Sequence, residues 1–231
     1  MRFVIGGIQK TSLLDYPDKI SAIVFTQGCN FKCGYCHNPQ LLKSENGIYD
    51  VDAFFDFLKK RQGKLDGVVI TGGEATLQKD LKLFIQKVKE LGFLVKLDTN
   101  GTNPQILKEL IEEKLVDYIA MDIKAPLEKY PLITKTNVDT SKIEESINII
   151  MSSDIDYEFR TTVLPVQIQI EDFDSIGKLI QGAKRYYLQK FVVQSEILDG
   201  SLKEEKNYTD IELKYIKEKL QNYIQFVEIR W

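Results

Sequence analysis

The sequence predicts an α/β fold built mainly from parallel strands. Short apolar runs typical of buried strands alternate with longer segments in which apolar residues recur every three or four positions, as in amphipathic helices. Several of the apolar runs end in a polar or glycine-containing cluster, and such clusters mark the ligand-binding ends of strands in α/β proteins. Repeated strand–helix units imply parallel strands joined by right-handed crossovers. This periodicity alone fits both an open doubly wound sheet and a barrel.

Eight segments have the apolar runs expected of strands. The first two, 2–8 and 19–26, are joined by a turn-rich segment at 15–18. The others are 67–71, 93–97, 117–121, 157–163, 188–194 and 225–229, the last as a closing strand.

Helices are predicted between these strands. Positions 51, 54, 55 and 58 fall on one helical face, and apolar residues from 77 to 91 mark a longer helix that Gly92 ends. Asn103 is expected to cap a third helix that begins at Pro104. A further helix is expected near 171–182.

Two later helices have the spacing of a capping box at their start. The pairs are Ser141 with Glu144 and Thr209 with Glu212. Between the third helix and the first of these lies the segment 126–140, which shows no clear periodicity. We expect it to be the longest irregular stretch and a mobile loop.

Composition limits the classes of function. The chain has 231 residues, of which 43% are apolar, so it can bury a sizeable core. A net charge of −3 argues against a nucleic-acid or acidic-membrane partner. No segment has the ~20 apolar residues of a membrane span, and the N-terminus lacks a signal-peptide core. Reduced thiols without an export signal favour a cytoplasmic protein.

All three cysteines lie in one loop after the second strand, as Cys29-x3-Cys33-x2-Cys36. Cysteine thiolates hold iron–sulfur clusters, normally four at a time. Three would leave one iron without a protein ligand, much as a catalytic metal keeps an open position. A disulfide would leave the third cysteine unpaired. A structural zinc needs a fourth ligand, and His37 is poorly placed to provide it because it is adjacent to Cys36. The pattern therefore favours a cluster over zinc or unrelated thiols.

The three-cysteine pattern, with Tyr35 before the last cysteine, resembles the signature of the radical S-adenosylmethionine (SAM) superfamily. The stretches 7–17 and 26–31 are similar to the anaerobic ribonucleoside-triphosphate reductase activating proteins. The resemblance implies a partial (β/α)6 TIM-like barrel with a short N-terminal β extension. It also implies one domain over 1–231, with the extension at 1–19, the barrel core at 20–200, and a C-terminal helix and strand at 201–231.

Polar clusters follow four predicted strands, and an arginine lies on a fifth. Each has an ordinary explanation as a turn or a surface ion pair, but together they are expected on one rim. The Glu74 carboxylate is expected to open at the mouth of this rim. Besides the cysteines, the candidates are Gly72, Gly73, Glu74, Asp98, Thr99, Asn100, Asp122, Lys124 and Arg160.

The resemblance implies that these residues bind a [4Fe–4S] cluster and SAM. Cys29, Cys33 and Cys36 would ligate iron, and the Gly72–Glu74 motif would accept hydrogen bonds from the amine of SAM. Lys124 and Arg160 would bind its carboxylate.

The other contacts that the resemblance implies concern the nucleoside and a metal ion. Asp122 would bind the ribose, residues 35–37, from Tyr35 to His37, would lie close to the adenine, and Asn100 belongs to the same cofactor site. In related activating enzymes an Asp–Thr pair binds a monovalent cation, and Asp98 and Thr99 match that pair.

The implied reaction is reductive cleavage of SAM to a 5′-deoxyadenosyl radical, with the electron coming from a flavodoxin- or ferredoxin-like donor. The radical would remove hydrogen from a backbone glycine of an anaerobic ribonucleotide reductase. The alternatives are a pyruvate formate-lyase-type activating enzyme, a radical enzyme acting on a small molecule such as a 7-carboxy-7-deazaguanine synthase, an electron-transfer or sensing protein, and a zinc-binding interaction domain.

Two departures from the family pattern stand out. Ala75 replaces the proline that usually follows the Gly-Gly-Glu motif, which removes no hydrogen-bond donor because proline has no N–H. His37 is the only histidine, so a downstream histidine that contacts the cofactor in some activating enzymes is missing. Gln194 is a candidate for its place.

Overall fold

The structure, a computed structural model, describes residues 1–43, 48–192 and 196–230. In this part of the chain eight strands form one sheet whose spatial order follows the sequence. Gln194, the candidate for the missing histidine's place, lies outside the described residues. The strands are β1 (Ile5–Ser12), β2 (Ser21–Thr26), β3 (Gly67–Gly72), β4 (Leu94–Thr99), β5 (Tyr118–Asp122), β6 (Asp156–Val163), β7 (Tyr186–Lys190) and β8 (Val227–Arg230).

Helices connect the strands along the described chain. Short 3₁₀ turns also occur at Pro39–Leu41, Ala75–Leu77, Leu127–Lys129 and Gly200–Glu204. The α-helices are α1 (Val51–Lys59), α2 (Leu81–Glu90), α3 (Pro104–Glu112), α4 (Tyr130–Thr134), α5 (Thr140–Met151), α6 (Asp172–Leu179) and α7 (Asp210–Leu220).

The topology confirms the predicted partial barrel with an N-terminal β extension. β1 pairs with β2 in the antiparallel direction, and every later neighbour from β2 to β8 is parallel. The last strand extends the sheet beside β7 instead of closing it, so the expectation of a closing strand is wrong. Within the described residues the sheet stays open between β1 and β8.

The segment 126–140 is not irregular, which corrects the sequence prediction. It contains a 3₁₀ turn and α4, and the side chains of Tyr130 and Ile133 are buried. Pro131 lies in the first turn of α4, where the missing N–H leaves no helical hydrogen bond unmade. Burial of the two apolar side chains thus stabilises a helix too short to show periodicity.

The structure confirms one of the two predicted capping boxes. Thr209 and Glu212 exchange hydrogen bonds at the start of α7. Ser141 does not cap α5, because Asp139 precedes it and its carboxylate accepts from the Ser141 N–H at 3.2 Å. α3 begins at Pro104 as expected.

The expected cap of α3 and the expected start of α2 are both wrong. The Asn103 side chain donates to Thr76 Oγ1 at 2.8 Å instead of capping α3. α2 begins at Leu81, and Leu77 belongs to a separate 3₁₀ turn. In both cases contacts with a neighbouring loop decide the local structure, and such contacts cannot be seen in the local sequence.

Alternation along the strands sends apolar and charged side chains to opposite faces of the sheet. The apolar side chains of one face pack with those of the helices into the main core. The other face carries Lys96 and Asp98 of β4 and Asp122 of β5, and Asp122 lies in register with Arg160 of β6. At the amino-terminal end of this face Tyr16 and Tyr118 pack in a second apolar cluster. No described helix has the length and apolarity needed to cross a membrane.

Candidate active site

The cysteine loop leaves β2 and packs against two other segments. Within it, the Cys36 N–H donates to the Cys33 carbonyl at 3.0 Å. The Lys32 N–H donates to Thr134 at the end of α4 at 2.8 Å, and Gly34 accepts from the Asp199 N–H at 2.8 Å. Hydrogen bonds to distant parts of the chain therefore fix the loop at the carboxyl ends of the strands.

A cleft of about 620 Å³, counting space open to solvent at its mouth, lies beside this loop. The cleft brings together every predicted site residue except His37. These residues are Cys29, Cys33, Tyr35, Cys36, Gly72, Gly73, Glu74, Asp98, Thr99, Asn100, Asp122, Lys124 and Arg160.

His37 lies apart from the cleft lining. Its ring stacks on that of Phe191, just after β7, with ring centroids 5.6 Å apart. The structure also adds Phe31, Asn38, Leu42 and Thr71 to the lining, none of which the sequence analysis identified. Thr71 could have been found, because it precedes Gly72 at the end of a strand that points to the site.

The three thiols are free and line one cleft. Burial raises the pKa of Cys29 to about 12, and burial also raises the pKa of Cys33. Both thiols are therefore protonated at neutral pH until iron binds and displaces the protons. Among the described side chains no three His, Cys, Asp or Glu gather around a single metal position. A cluster makes a different demand, because each thiolate binds a different iron.

Gly72 and Gly73 bring the end of β3 against the cysteine loop. A Cβ on Gly72 would lie 2.4 Å from the Thr26 backbone nitrogen, and one on Gly73 would lie 2.2 Å from the Gly28 carbonyl oxygen. The Glu74 N–H donates to that carbonyl at 2.8 Å. The glycines are needed because a side chain at either position would push the two loops apart.

The Glu74 carboxylate does not open at the mouth of the cleft as expected. Glu74 is only 1% exposed, and burial raises the pKa of its carboxyl group. Oε1 accepts from Thr76 Oγ1 at 2.5 Å and Thr99 Oγ1 at 2.8 Å, and Oε2 accepts from the Asn100 N–H at 2.6 Å. Because these donors occupy both oxygens, the carboxylate holds the loop after β4 in place.

A chain of five alternating charges crosses the cleft wall. Lys96 Nζ lies 2.5 Å from Asp98, Arg160 bridges Asp98 at 3.2 Å and Asp122 at 2.9 Å, and Lys124 Nζ lies 3.1 Å from Asp122. The side chains of Asp122 and Lys124 are 26% and 14% exposed, so this is a largely buried network and no surface pair.

Lys96 was not predicted as a site residue. The alternation of β4 could have revealed it, because positions 96 and 98 share one face of the strand. Its side chain is 3% exposed, which is rare for lysine unless the ammonium is paired.

The network keeps its carboxylates ionised. Burial raises the pKa of Asp122, but Arg160 and Lys124 outweigh burial and lower it to about 2. The pKa of Asp98 is likewise lowered, because Arg160 and Lys96 outweigh burial. Lys124 and Arg160 of this network line the cleft, and cationic groups of this kind bind ligand carboxylates.

Tyr35 adds a buried hydroxyl to this cleft. The residue is only 5% exposed, and its hydroxyl lies beside the Cys33 thiol, where it counters part of the rise that burial causes in the pKa of that thiol. The Lys124 ammonium lies 5.7 Å from the centroid of the Tyr35 ring.

The chain matches proteins of one superfamily along most of its length. The radical SAM superfamily matches residues 23–180. A protein of Methanocaldococcus jannaschii named as a glycyl-radical enzyme activating enzyme is 37% identical over 238 residues, covering 100% of this chain and 97% of that protein. The pyruvate formate-lyase-activating enzyme of Clostridium pasteurianum is 33% identical over 129 residues, covering 52% of each.

Two solved structures share the fold. SuiB of Streptococcus suis, bound to S-adenosylmethionine, matches with a TM-score of 0.68 at 12% identity over 88% of this chain. The match covers 48% of SuiB, so this chain spans about half the length of that protein. QueE of Escherichia coli matches with a TM-score of 0.57 at 13% identity, covering 99% of this chain and 93% of QueE. With a superfamily match over most of the chain and a full-length relative, this chain belongs to the radical SAM superfamily and is an enzyme of the glycyl-radical activating type.

Proposed function

We propose that the chain binds a [4Fe–4S] cluster and SAM in this cleft and installs a glycyl radical on an anaerobic ribonucleotide reductase. One observation carries the assignment of the site: three free thiols line the same cleft as a buried charge network that contains the cations Lys124 and Arg160. A cluster that binds SAM on its open iron has three thiolate ligands instead of four. The carboxylate of SAM in turn needs cationic side chains nearby.

The residues present fit both groups. Cys29, Cys33 and Cys36 would hold the cluster through three of its irons. Lys124 and Arg160 would bind the carboxylate of SAM, and Asp122, ionised at neutral pH, would accept from the ribose hydroxyls. When bound and reduced, the cluster supplies the electron that cleaves the carbon–sulfur bond of SAM to give methionine and the 5′-deoxyadenosyl radical.

The backbone between strand and helix completes the cofactor site. The carbonyl groups at Gly72 and Gly73 would accept from the amine of SAM, and Glu74 and Asn100 keep this backbone in place through their 2.6 Å hydrogen bond. Tyr35 would close the site on the cysteine side. With the cofactor bound, these groups would shield the reacting atoms from water, which would protect a reactive radical from side reactions.

The protein substrate and electron donor are inferred from the relatives and from the shape of the barrel. The M. jannaschii relative, similar over its whole length, is named for activation of a glycyl-radical enzyme. The described sheet is open between β1 and β8, and a loop of a partner protein would approach the cleft through this incomplete barrel. A flavodoxin- or ferredoxin-like protein would supply the electron.

Pyruvate formate-lyase is the second candidate substrate. The C. pasteurianum activating enzyme of that lyase is 33% identical over half of this chain, which supports it. The anaerobic reductase is preferred because the sequence motif at 7–17 resembles the reductase activators and lies outside the superfamily match.

The test begins with anaerobic reconstitution of the full chain with iron and sulfide, followed by reduction and addition of SAM. We expect a brown protein that releases 5′-deoxyadenosine. Addition of the anaerobic reductase should then give the electron-spin resonance doublet of a glycyl radical, and pyruvate formate-lyase should not. Lys124→Met should lose most of the cleavage, whereas Lys129→Met, which breaks a nearby pair with Asp172 outside the cleft lining, should keep it.

Each alternative gives a different result in this experiment. A small-molecule radical enzyme would turn over a pterin without a partner protein. An electron-transfer or sensing protein would show a cluster with four protein ligands and no binding of SAM. A zinc protein would be colourless. Any of these results would overturn the proposed function.

A further inference from the structure

A buried lysine beside the expected cation site has no role in the proposed function so far. In the site, Asp98 and Thr99 correspond to the pair that binds a monovalent cation in related activating enzymes. We propose that the Lys96 ammonium occupies the place of that cation, so that SAM binding by this chain does not depend on sodium or potassium ions. The inference rests on the proposed function, because it concerns the same cofactor site.

Both oxygens of Asp98 already face a protonated side chain. Lys96 Nζ is 2.5 Å from Oδ1, and Arg160 Nη1 is 3.2 Å from Oδ2. Lys96 lies two residues before Asp98 on β4, so the two side chains leave the strand on the same face. The strand therefore holds the ammonium at the carboxylate and does not rely on a diffusible ion.

The threonine of the pair is also engaged. Thr99 Oγ1 donates to Glu74 Oε1 at 2.8 Å and accepts from the Gly101 N–H at 3.1 Å. Hard cations bind several oxygen atoms at once. With Asp98 and Thr99 occupied in this way, these residues do not fit a bound alkali ion.

The charge of the wall points in the same direction. The Asp98 carboxylate already faces two cations, Lys96 and Arg160. An added alkali ion would be a third cation at this carboxylate, in a poorly solvated site that would also receive the sulfonium of SAM. An ammonium that is already paired with Asp98 avoids that repulsion.

The surroundings of Lys96 give little other reason for a charged side chain at this position. Its side chain is 3% exposed, and burying an ammonium is costly without a partner. Besides Asp98, its described neighbour is the ring of Tyr118, whose centroid lies 6.0 Å from Nζ. If the side chain of residue 96 only filled space in an apolar core, its charge would not be needed.

The test measures SAM binding to the cluster-loaded protein by calorimetry. One buffer contains tetramethylammonium chloride as the only salt, and the others contain sodium or potassium chloride at the same ionic strength. Wild-type affinity should change less than about twofold between them. Lys96→Met should bind SAM about tenfold more weakly in tetramethylammonium, and potassium or sodium should restore most of that loss.

Two variants serve as controls. Lys96→Arg keeps the charge and should remain independent of alkali ions. Lys89→Met removes the partner of Asp117 from a half-buried ion pair outside the cleft lining, and its SAM affinity should not respond to potassium. Thermal melting of each variant, recorded without SAM, gives a second readout: potassium should raise the melting temperature of Lys96→Met alone.

The outcomes separate this inference from the proposed function. If wild-type protein binds and cleaves SAM but needs sodium or potassium, the inference fails and the function stands. If Lys96→Met binds SAM weakly and no alkali ion restores it, Lys96 only supports the fold and the inference is overturned. Should Lys96→Met not fold, Lys96→Gln replaces it, and the wild-type comparison still decides. If wild type binds no SAM in any salt, both fail.

Discussion

Replacement of Asp122 by asparagine tests the charge network most sharply. Asp122 receives Arg160 Nε at 2.9 Å and Lys124 Nζ at 3.1 Å. An asparagine of the same shape keeps the packing and removes the charge, which leaves three cations facing the single carboxylate of Asp98. The variant should therefore be less stable at neutral pH.

The expected loss follows from the pKa of Asp122. That pKa falls from 3.8 to about 2 in the folded protein, because Arg160 and Lys124 outweigh the effect of burial. At ~1.4 kcal/mol per pKa unit, ionisation of Asp122 contributes about 2 kcal/mol to the free energy of unfolding at pH 7. Because the folded pKa is lowered, this contribution is present above pH 3.8 and is lost as the pH falls towards 2.

The assay is urea unfolding of wild type and Asp122→Asn, followed by circular dichroism between pH 7 and pH 3. The difference in the free energy of unfolding should be about 2 kcal/mol at pH 7 and should shrink by about half at pH 3. Asp56→Asn, which breaks an exposed pair with Lys59, is the matched control and should leave the midpoint unchanged. A difference that is absent at pH 7, or equally large at every pH, would refute the electrostatic account.

Three further substitutions probe the rest of the site. Cys33→Ala should yield a protein with little bound iron and no reductive cleavage of SAM, and a fully active variant would contradict the cluster assignment. Lys124→Ala should weaken SAM binding, measured by calorimetry, more than it lowers iron content, and the reverse order would remove Lys124 from the cofactor site. Glu74→Gln should lower the free energy of unfolding, measured in urea, by about 2 kcal/mol. The glutamine amide N–H groups would face the donors that now bond the carboxylate. Unchanged stability would show that these hydrogen bonds contribute little.

Much of the fold could be predicted because its signals are local. Strands such as β3 and β5 are continuous apolar runs, and the Thr209–Glu212 box marks the start of α7 from four residues alone. Competing local signals caused the errors. Ser141 has the spacing of a cap, but Asp139 lies two residues earlier and takes the position. α4 has only five residues, which is too short to show a periodic pattern of apolar residues. Its formation depends on packing against the core.

The members of the candidate site could be predicted better than their contacts. Parallel strands bring their carboxyl ends to one edge, which is enough to place Asp98 and Asp122 together. Arg160 lies in the middle of β6, and the register of that strand with β5 places it at Asp122. The Glu74 side chain points inward because Thr99 and Asn100 donate hydrogen bonds to it. These donors lie 25 and 26 residues away in the sequence, so local sequence patterns do not reveal them. Lys96 escaped notice because a lysine within a strand is usually solvated, although the alternation of β4 places it on the same face as Asp98.

The most direct measurement is the electron-spin resonance spectrum of the reduced, anaerobically loaded chain before and after SAM is added. If an iron is left open by Cys29, Cys33 and Cys36 and SAM binds it beside Lys124, the spectrum of the reduced cluster should change on addition of SAM. An unchanged spectrum, from a cluster whose four irons all have protein ligands, would contradict the account.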